Sequence, residues 1–368
     1  MTENPPTLRS IRVLELASVL AGPLAGAALA ERGAQVTKVE RPPFGDVTRS
    51  WKTLGESKDS KSSAYYASAN GNKKVVWQDL KTSEGRDWLE EALKSHDVVI
   101  ENFKAADLSH FGLEPEDVAR RHPHLVHIRL IGFEGQPHRL AYDVVVQAET
   151  GFMHMNGQAE GPPMRMPVAL MDVLASHQIR TAVLEGLLSR AQGSTGFFAE
   201  VSLEASGLSA LVNQATNHLN AGTLPERNGG LHPNIAPYGD VLHCQNGFIV
   251  LAVGNDRQFK SLCMALGNEE WANDSRFSTN QLRVQNRNDL MHLLQSAANA
   301  TEKQALMERL HDASVPAGLV KSMDEVFEDG TNGANALLTN EDGQVRPAAI
   351  AYRVRCYGVT NDEPKTTG

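Results

Sequence analysis

Cysteines and long apolar segments are both scarce in this chain. The 368 residues include three cysteines, Cys244, Cys263 and Cys356, which lie far apart and form no CxxC pair. This pattern indicates neither a disulfide framework nor a zinc site, and it suits a reducing cytoplasm. The longest apolar stretch, residues 16–30, is too short to span a bilayer and is interrupted by serine, glycine and proline. We therefore expect a cytoplasmic protein with no metal and no membrane-spanning segment.

Runs of basic residues are also missing. Lysine and arginine number 35 against 44 aspartates and glutamates, a formal net charge of −9, and the two signs are mixed along the chain. No nucleic-acid partner is therefore expected, although a local basic pocket for a phosphorylated ligand is compatible with this composition. The N-terminus lacks the basic start and apolar run of a signal peptide. What is present, 41% hydrophobic and 21% charged residues, is ordinary for a globular chain large enough for two domains.

The first half of the sequence alternates strand-like and helix-like segments. Residues 11–16 and 35–40 have the pattern of buried strands, and a Gly/Ala-rich helix between them completes a βαβ unit with parallel strands. The same alternation predicts a doubly wound, Rossmann-like α/β domain. Further strands are predicted at 74–80, 97–103, 125–133 and 197–204, and further helices at 83–95 and 172–190.

The second half has a different character. Gly, Asn and Pro accumulate over residues 219–237, which predicts a linker or a functional loop. A β-hairpin turning at Asn246-Gly247 follows, and then helices up to about Leu310. The sequence thus predicts a large Rossmann-like domain with a parallel sheet, residues 1–220 and 335–368, and a linker with a smaller α+β domain, residues 221–334. Residues 345–354 are expected to return as strands of the large domain.

The turn after the first strand is a candidate ligand site. Val19 and Ala21 lie in a tight turn into a helix, where a ligand can approach the backbone and the helix N-terminus favours an anion. Glu40 ends the second strand, where dinucleotide-binding folds carry their ribose carboxylate, so an NAD enzyme is one alternative. The missing GxGxxG fingerprint and the adjacent Arg41 weigh against it. In the plainer interpretation, the turn only starts a helix and Glu40–Arg41 is a surface pair.

Several segments, in order, are similar to the family III CoA-transferases, the group of formyl-CoA and carnitine CoA-transferases and α-methylacyl-CoA racemase. The most distinctive is IRVLELASVLAGPLAGAALAERGAQVTKVERPPFGDVTR, and DVVIENF, YDVVVQAETGFMHMNG, GPPMRMPVALMDVLAS and HPNIAPYGD follow. The match covers roughly residues 8–320. This resemblance implies a CoA-binding Rossmann-like domain in an intertwined homodimer. It also implies acyl-CoA and a small carboxylate as substrates, with no permanently bound cofactor.

The resemblance also implies which residues contact coenzyme A. CoA carries several phosphates and an adenine, so cations and a flat or apolar slot suit it. The matching positions hold plausible residue types, although Lys81 would equally suit a solvated helix flank and Phe103 a hydrophobic core. His110 stands where the family usually has arginine, and histidine is a weaker, pH-dependent phosphate partner. The implied contacts are Arg41, Lys81, Asn102, Phe103 and His110.

Asp172 has two interpretations. From the sequence alone it is an aspartate that caps the first turn of a helix. The resemblance implies instead that it is the nucleophile that attacks an acyl-CoA thioester and forms an anhydride and then an enzyme–CoA thioester. The oxyanions formed on this route need donors, for which the helix N-terminal amides or the glycine loop are candidates.

Two alternatives to transfer stay open. The racemase branch of the family uses a histidine thirty positions before the aspartate, where this chain has Tyr142, a poor base at neutral pH. This favours transfer over racemisation. The chain also lacks the Leu-Gly-Glu-His-Thr ending of many members, so a catalytically inactive CoA-binding relative is the third hypothesis.

The remaining expectations concern substrate binding. Gly229 and Gly230 are candidates for a mobile loop that closes over the site, or for a plain interdomain linker. Arg139 and Arg165 are candidates for binding a second carboxylate. Family habit suggests succinyl-CoA and a small dicarboxylate as substrates.

Overall fold

The chain divides into two compact units. The computed structural model describes residues 6–328, 337–340 and 343–355. The first unit comprises residues 1–151, 166–213 and 333–368, and the second comprises 152–165 and 214–332. Compared with the predicted boundaries, the second unit begins earlier and also takes up residues 152–165. The predicted polar tail, residues 360–368, lies outside the described residues.

A parallel sheet of six strands organises the first unit. Its order is β3-β2-β1-β4-β5-β6, and every neighbouring pair is parallel. This order reverses direction between β1 and β4, and ligands bind at such a switch point in open α/β sheets. The α/β class with a parallel sheet is therefore confirmed. The strands are β1 Arg12–Glu15, β2 Gln35–Glu40, β3 Lys74–Trp77, β4 Val98–Glu101, β5 Val126–Ile131 and β6 Phe197–Ser202.

Helices connect the strands and cover the sheet. The predicted helix 83–95 has the predicted bounds, and Thr82 caps it by accepting from the Gly85 N–H. In chain order the α-helices are α1 Ala21–Glu31, α2 Ala64–Asn70, α3 Ser83–Ser95, α4 Ala105–Phe111, α5 Pro115–Arg121, α6 Asp143–Glu149, α7 Phe152–Met155, α8 Leu170–Ala191, α9 Leu203–Ser209, α10 Val212–Ala221, α11 Asp256–Ala265, α12 Asn280–Gln285, α13 Arg287–Ala298, α14 Lys303–Asp312 and α15 Met323–Phe327. Short 3-10 helices lie at Val47–Ser50 and Glu269–Asn273.

Apolar residues of β1, β4 and α3 belong to one hydrophobic cluster, which packs against the parallel sheet. Leu14, Leu89, Leu93 and Val99 are each 1% exposed or less. Phe103, which follows β4, packs against the same cluster. The carboxyl ends of β1 and β4 are therefore fixed on a packed core, and residues after these strands can hold a ligand in a defined position.

The second unit is built on a small antiparallel sheet. The strands β7 Tyr238–Cys244, β8 Gly247–Ala252 and β9 Ala317–Leu319 pair in the order β7-β8-β9. The hairpin was predicted to turn at Asn246-Gly247, which is wrong by one residue. Cys244 pairs with Gly247, so Gln245 and Asn246 form the turn, and Gly247 begins β8 with φ of +148°. Helices α11, α13 and α14 pack their leucines on this sheet.

The C-terminal segment rejoins the first unit without extending its sheet. Strands β10 Leu337–Thr339 and β11 Val345–Pro347 pair only with each other among the described strands, and residues 348–355 form no strand. The predicted return as strands is therefore correct only for β11. The segment is fixed through Glu31 at the end of α1, which accepts from Arg346 at 2.6 Å and from the Ala349 and Ile350 amides at 3.0 Å. None of the helices in the described parts of the chain has both the length and the apolar character needed to cross a membrane.

Candidate active site

Two cavities lie along the carboxyl ends of the six parallel strands. The first cavity, about 440 Å³, is lined by residues that follow β1, β2, β3 and β4. The second cavity, about 560 Å³, is lined by residues that follow β1, β4 and β5, and by Glu200 of β6. Ser18, Asn102, Phe103 and Lys104 line both cavities. The two cavities therefore meet at the switch point between β1 and β4.

Four of the predicted CoA contacts line the first cavity: Arg41, Lys81, Asn102 and Phe103. The Arg41 guanidinium is exposed and lies 3.1 Å from the Asp79 carboxylate. The Phe103 ring packs against Phe111 with 4.7 Å between centroids, which gives the cavity an aromatic wall. The first cavity thus combines cations with an apolar slot, the chemistry that a phosphorylated adenine nucleotide requires.

His110 lies beside a cation that the sequence reading missed. Its Nε2 is 3.4 Å from the Arg86 guanidinium, which also donates to the Lys81 carbonyl at 2.7 Å. Arg86 comes from α3 and His110 from α4, so only the tertiary fold brings them together. The permanently charged Arg86 thus lies next to His110, which was predicted as a weak phosphate partner.

The loop after β1 is held in a strained conformation. Val19 has φ of +74°, in the left-handed region that a β-branched residue rarely occupies. Its N–H donates to Asp46 at 3.2 Å, and the Asn102 side chain both accepts from the Ser18 N–H and donates to the Ser18 carbonyl, each at 3.1 Å. Asn102 was predicted only as a ligand contact. In the structure its side chain also fixes the conformation of this loop. Ala21 begins α1 and is buried.

Behind that loop, buried charges support Asp46. The Lys38 ammonium, 1% exposed, lies 3.1 Å from both Asp46 and Glu15 and donates to the Ala17 carbonyl. Burial opposes the charged form of Lys38, but the two carboxylates raise its pKa above the usual value. Both ends of the β1 loop, Ala17 and Val19, are thus tied to one ion cluster.

Glu40 does not have either role that the sequence suggested. It is 2% exposed and accepts from Arg49 at 2.6 and 2.8 Å, from the Tyr66 hydroxyl at 2.6 Å and from the Asp46 N–H at 3.0 Å. Burial alone would raise its pKa, but these hydrogen bonds lower the pKa below the usual value. Because its oxygens are fully engaged, Glu40 is neither a free ribose partner nor half of a surface pair with Arg41.

Asp172 is a half-buried carboxyl group in the first turn of α8. Within the described residues, no donor makes a hydrogen bond to its side chain. Burial first, and then the nearby Asp143 carboxylate, raise the pKa of Asp172 to about 7. The group is therefore poised between its protonated and ionised forms near neutral pH.

Asp143, not Asp172, caps helix α8. Asp143 Oδ1 accepts from the Met171 N–H at 2.7 Å and from the Asp172 N–H at 3.4 Å. The remaining first-turn amides, of Leu170 and Val173, donate to the carbonyls of Val168 and Ala169. The interpretation of Asp172 as a cap is thus wrong. Each of these amides already has an acceptor, and their predicted role as oxyanion donors stays a prediction.

Tyrosines complete the surroundings of Asp172. Tyr65 of α2, which the sequence reading missed, has a pKa raised by burial first and then by Asp172, Asp143 and Asp46, so it lies within the field of these carboxylates. Its ring stacks edge-on against Trp51 at 5.1 Å. Tyr142, directly before Asp143, is 58% exposed and lines the second cavity together with Arg139. One lining residue of that cavity, Tyr142, is thus the sequence neighbour of Asp143, which caps α8.

Gly229 and Gly230 belong to the second unit. Gly229 has φ of +63°, which favours glycine, and its N–H donates to the Gly157 carbonyl at 2.8 Å. Arg227 holds the same loop through the carbonyls of Gly161 and His154. The segment is therefore anchored within its own unit, and its closure over a site stays a prediction.

Comparison with known proteins identifies the family. The sequence model of CoA-transferase family III matches residues 8–364. The chain is 39% identical over 360 residues to the succinate–glutarate CoA-transferase of Agrobacterium fabrum, covering 94% of this chain and 90% of that protein. It is 35% identical to the succinyl-CoA:glutarate CoA-transferase of Mus musculus, covering 97% and 83%. A CaiB/BaiF family protein from Brucella suis superposes with a TM-score of 0.81 at 34% identity, covering 93% and 91%. The chain therefore belongs to CoA-transferase family III, as the sequence resemblance predicted.

Proposed function

We propose that the protein transfers CoA from succinyl-CoA to a small dicarboxylic acid of the glutarate type, with Asp172 as the nucleophile. The observation that carries this proposal is the Asp172 carboxylate, half-buried and without a hydrogen-bond donor among the described residues. Its helix is capped by Asp143, which directly follows Tyr142 of the second cavity. The substrate pair is supported by relatives at 39% and 35% identity whose names specify succinate or succinyl-CoA and glutarate.

The two cavities together support one orientation of the CoA thioester. The first cavity, with Arg41, Lys81 and the Phe103 ring, has the cations and aromatic wall for the nucleotide end. The second cavity, which leads to Tyr142, accommodates the thioester end. Arg139 lines the same cavity and is a candidate to bind the distal carboxylate of the substrate, although it also forms an ion pair with Glu149.

The proposed reaction has four acyl-transfer steps. An oxygen of ionised Asp172 attacks the thioester carbonyl carbon, forming a mixed anhydride and releasing CoA thiolate. The thiolate attacks the aspartyl carbonyl of the anhydride, giving an enzyme–CoA thioester and free succinate. The acceptor carboxylate attacks that thioester, which forms a second anhydride and again releases CoA thiolate. Attack of the thiolate on the acceptor's acyl carbon gives the new CoA thioester and restores the Asp172 carboxylate.

A trapping experiment tests this proposal. The protein is incubated with succinyl-CoA, treated with hydroxylamine, and digested for peptide mass spectrometry. We expect a hydroxamate at Asp172 in the wild type and none in Asp172→Ala. The variant should bind CoA with unchanged affinity but show no transfer to glutarate. Absence of any label at Asp172 in an enzyme that transfers CoA would contradict the nucleophile assignment. Deuterium incorporation at the α-carbon of an acyl-CoA in heavy water, without transfer, would instead support racemase chemistry.

The proposal extends to the assembly and the setting of the enzyme. We propose a cytoplasmic, intertwined homodimer, based on the family resemblance and on the three widely spaced cysteines. The described cysteines, Cys244 and Cys263, are both buried and free.

A further inference from the structure

Asp143 and Gln147 lie one turn apart on α6 and together fasten the start of α8. Gln147, which is fully buried, donates to Asp143 Oδ2 at 2.6 Å and to the Val168 carbonyl at 3.3 Å. Its Oε1 accepts from the Met166 N–H at 2.8 Å. The segment from Met166 to the first turn of α8 is therefore held at several points by two side chains of a neighbouring helix.

The cap changes what the helix terminus can do for Asp172. The N-terminus of a helix normally stabilises a first-turn carboxylate through free amides and the helix dipole. Here Asp143 Oδ1 takes the amides of Met171 and of Asp172 itself, at 2.7 and 3.4 Å. A second negative charge now stands where positive charge would act. Among the described residues the Asp172 carboxylate has no hydrogen-bond donor, which makes its anion more basic and more nucleophilic.

Other charged groups near α8 do not offset this arrangement. Tyr65 of α2 lies in the field of Asp172, and burial and the neighbouring carboxylates raise its pKa, which keeps it neutral over the same range. The elements packed on α8 carry charges that have partners of their own. These are Glu149 on α6 with Arg139, Glu31 on α1 with Arg346, Glu204 on α9 with the Glu134 N–H, Glu200 on β6 with Arg129, and Arg129 on β5 with Glu101. His127 on β5 lies 3.7 Å from Glu101. On α8 itself, His177 and Arg180 contact each other.

We propose that Asp143 is a positioning residue for the reaction: by capping α8 it presents the Asp172 carboxylate to the thioester free of hydrogen bonds. This inference rests on the proposed role of Asp172 as nucleophile. The Asp143 carboxylate would thus have two separate functions. Capping α8 needs only its acceptor oxygen, whereas raising the basicity of Asp172 needs its negative charge.

Two variants separate these functions. Asp143→Asn removes the charge and keeps an acceptor oxygen for the two amides, but its NH2 group cannot accept from Gln147 Nε2. Gln147→Ala removes that same contact with the charge kept and is the control for its loss, whereas Asp143→Ala removes both the acceptor and the charge. Transfer requires ionised Asp172, so the rate rises with pH through the pKa of Asp172. In Asp143→Asn this acid limb should move down by about one pH unit. The maximal kcat should fall by about two- to fivefold, because the anion is less basic, with little change in KM for the acyl-CoA. Asp143→Ala should lose about 100-fold in kcat through misplacement of the carboxylate.

A measurement independent of turnover completes the test. Aspartate labelled with ¹³C at the side-chain carboxyl gives a titration for Asp172, identified by its absence in Asp172→Ala. The proposal predicts that this titration also shifts to lower pH in Asp143→Asn. An unshifted titration together with an unshifted acid limb in a folded, CoA-binding Asp143→Asn would overturn it. The two proposals fail in different experiments. If Asp172 is not the nucleophile, the hydroxylamine experiment on the wild type gives no label at Asp172. If Asp143 has no positioning role, the titration and the acid limb do not shift in Asp143→Asn.

Discussion

A carboxyl group that is kept from its usual hydrogen bonds affects stability as well as chemistry. The pKa of Asp172 is raised to about 7, by burial first and then by Asp143, whereas an aspartate in an unfolded chain titrates near ~3.9. The folded protein therefore binds the proton more tightly than the unfolded chain does. This contribution to stability is fully present below about pH 4 and is lost as the pH rises from about 4 to about 7.

Substitution of Asp172 by asparagine should therefore stabilise the protein in a pH-dependent way. We expect Asp172→Asn and the wild type to differ little near pH 4. Above pH 7 the variant should be more stable by roughly 1–3 kcal/mol, less than the full shift implies because the group is partly solvated. Denaturant unfolding at several pH values measures this. Asp87→Asn, at an exposed carboxyl on α3, is the matched control. A difference that is constant with pH would contradict the perturbed titration.

At the scale of single elements, local pattern predicted most of the first unit. Strand β2 and helix α3 have the predicted bounds, because period-two and helical apolar patterns coincide there with burial on one face. The environments of single charges did not follow from local pattern. Glu40, Asp46 and Arg49 are neighbours in sequence, but their ion cluster also requires Tyr66 from α2 and Lys38 from β2. Such contacts depend on tertiary packing that no sequence window contains.

The contact between α3 and α4 places Arg86 where it can affect the binding of the acyl-CoA. Arg86 of α3 supports the Lys81 carbonyl and stands against His110 of α4, beside the first cavity. We expect Arg86→Ala to raise KM for the acyl-CoA by about tenfold with kcat within about twofold, because a charge-assisted contact is lost in binding but not in the chemical step. Steady-state kinetics at fixed acceptor concentration measure this.

Lys94→Ala provides the control on the same helix. Lys94 is exposed near the end of α3 and pairs with Glu91 one turn away. Its removal should leave both constants unchanged. Equal effects of the two substitutions would show that general charge, rather than the position of Arg86, attracts the substrate.

For the whole molecule, the ordered series of motifs was more informative than any one of them. It predicted the family, which the match over residues 8–364 confirms. The boundaries of the units were less predictable, because residues 152–165 leave the first unit only through contacts such as those of Arg227 with His154 and Gly161. The arrangement at Asp172 was half predictable. The motif indicated the aspartate, but the cap by Asp143 requires two helices to meet.

We expect the protein to form a dimer. One chain leaves leucines of α8 and α9 open to solvent, with Leu184, Leu188 and Leu208 about half exposed or more, and solvent-exposed apolar side chains at neighbouring positions are typical of an interface. An intertwined homodimer covers such residues and has no stable folded monomer. Light scattering should give about 80 kDa, twice the 40.0 kDa chain, and the unfolding midpoint should rise with protein concentration. A well-folded 40.0 kDa species with a concentration-independent midpoint would contradict the dimer, because an interlocked fold cannot separate without unfolding.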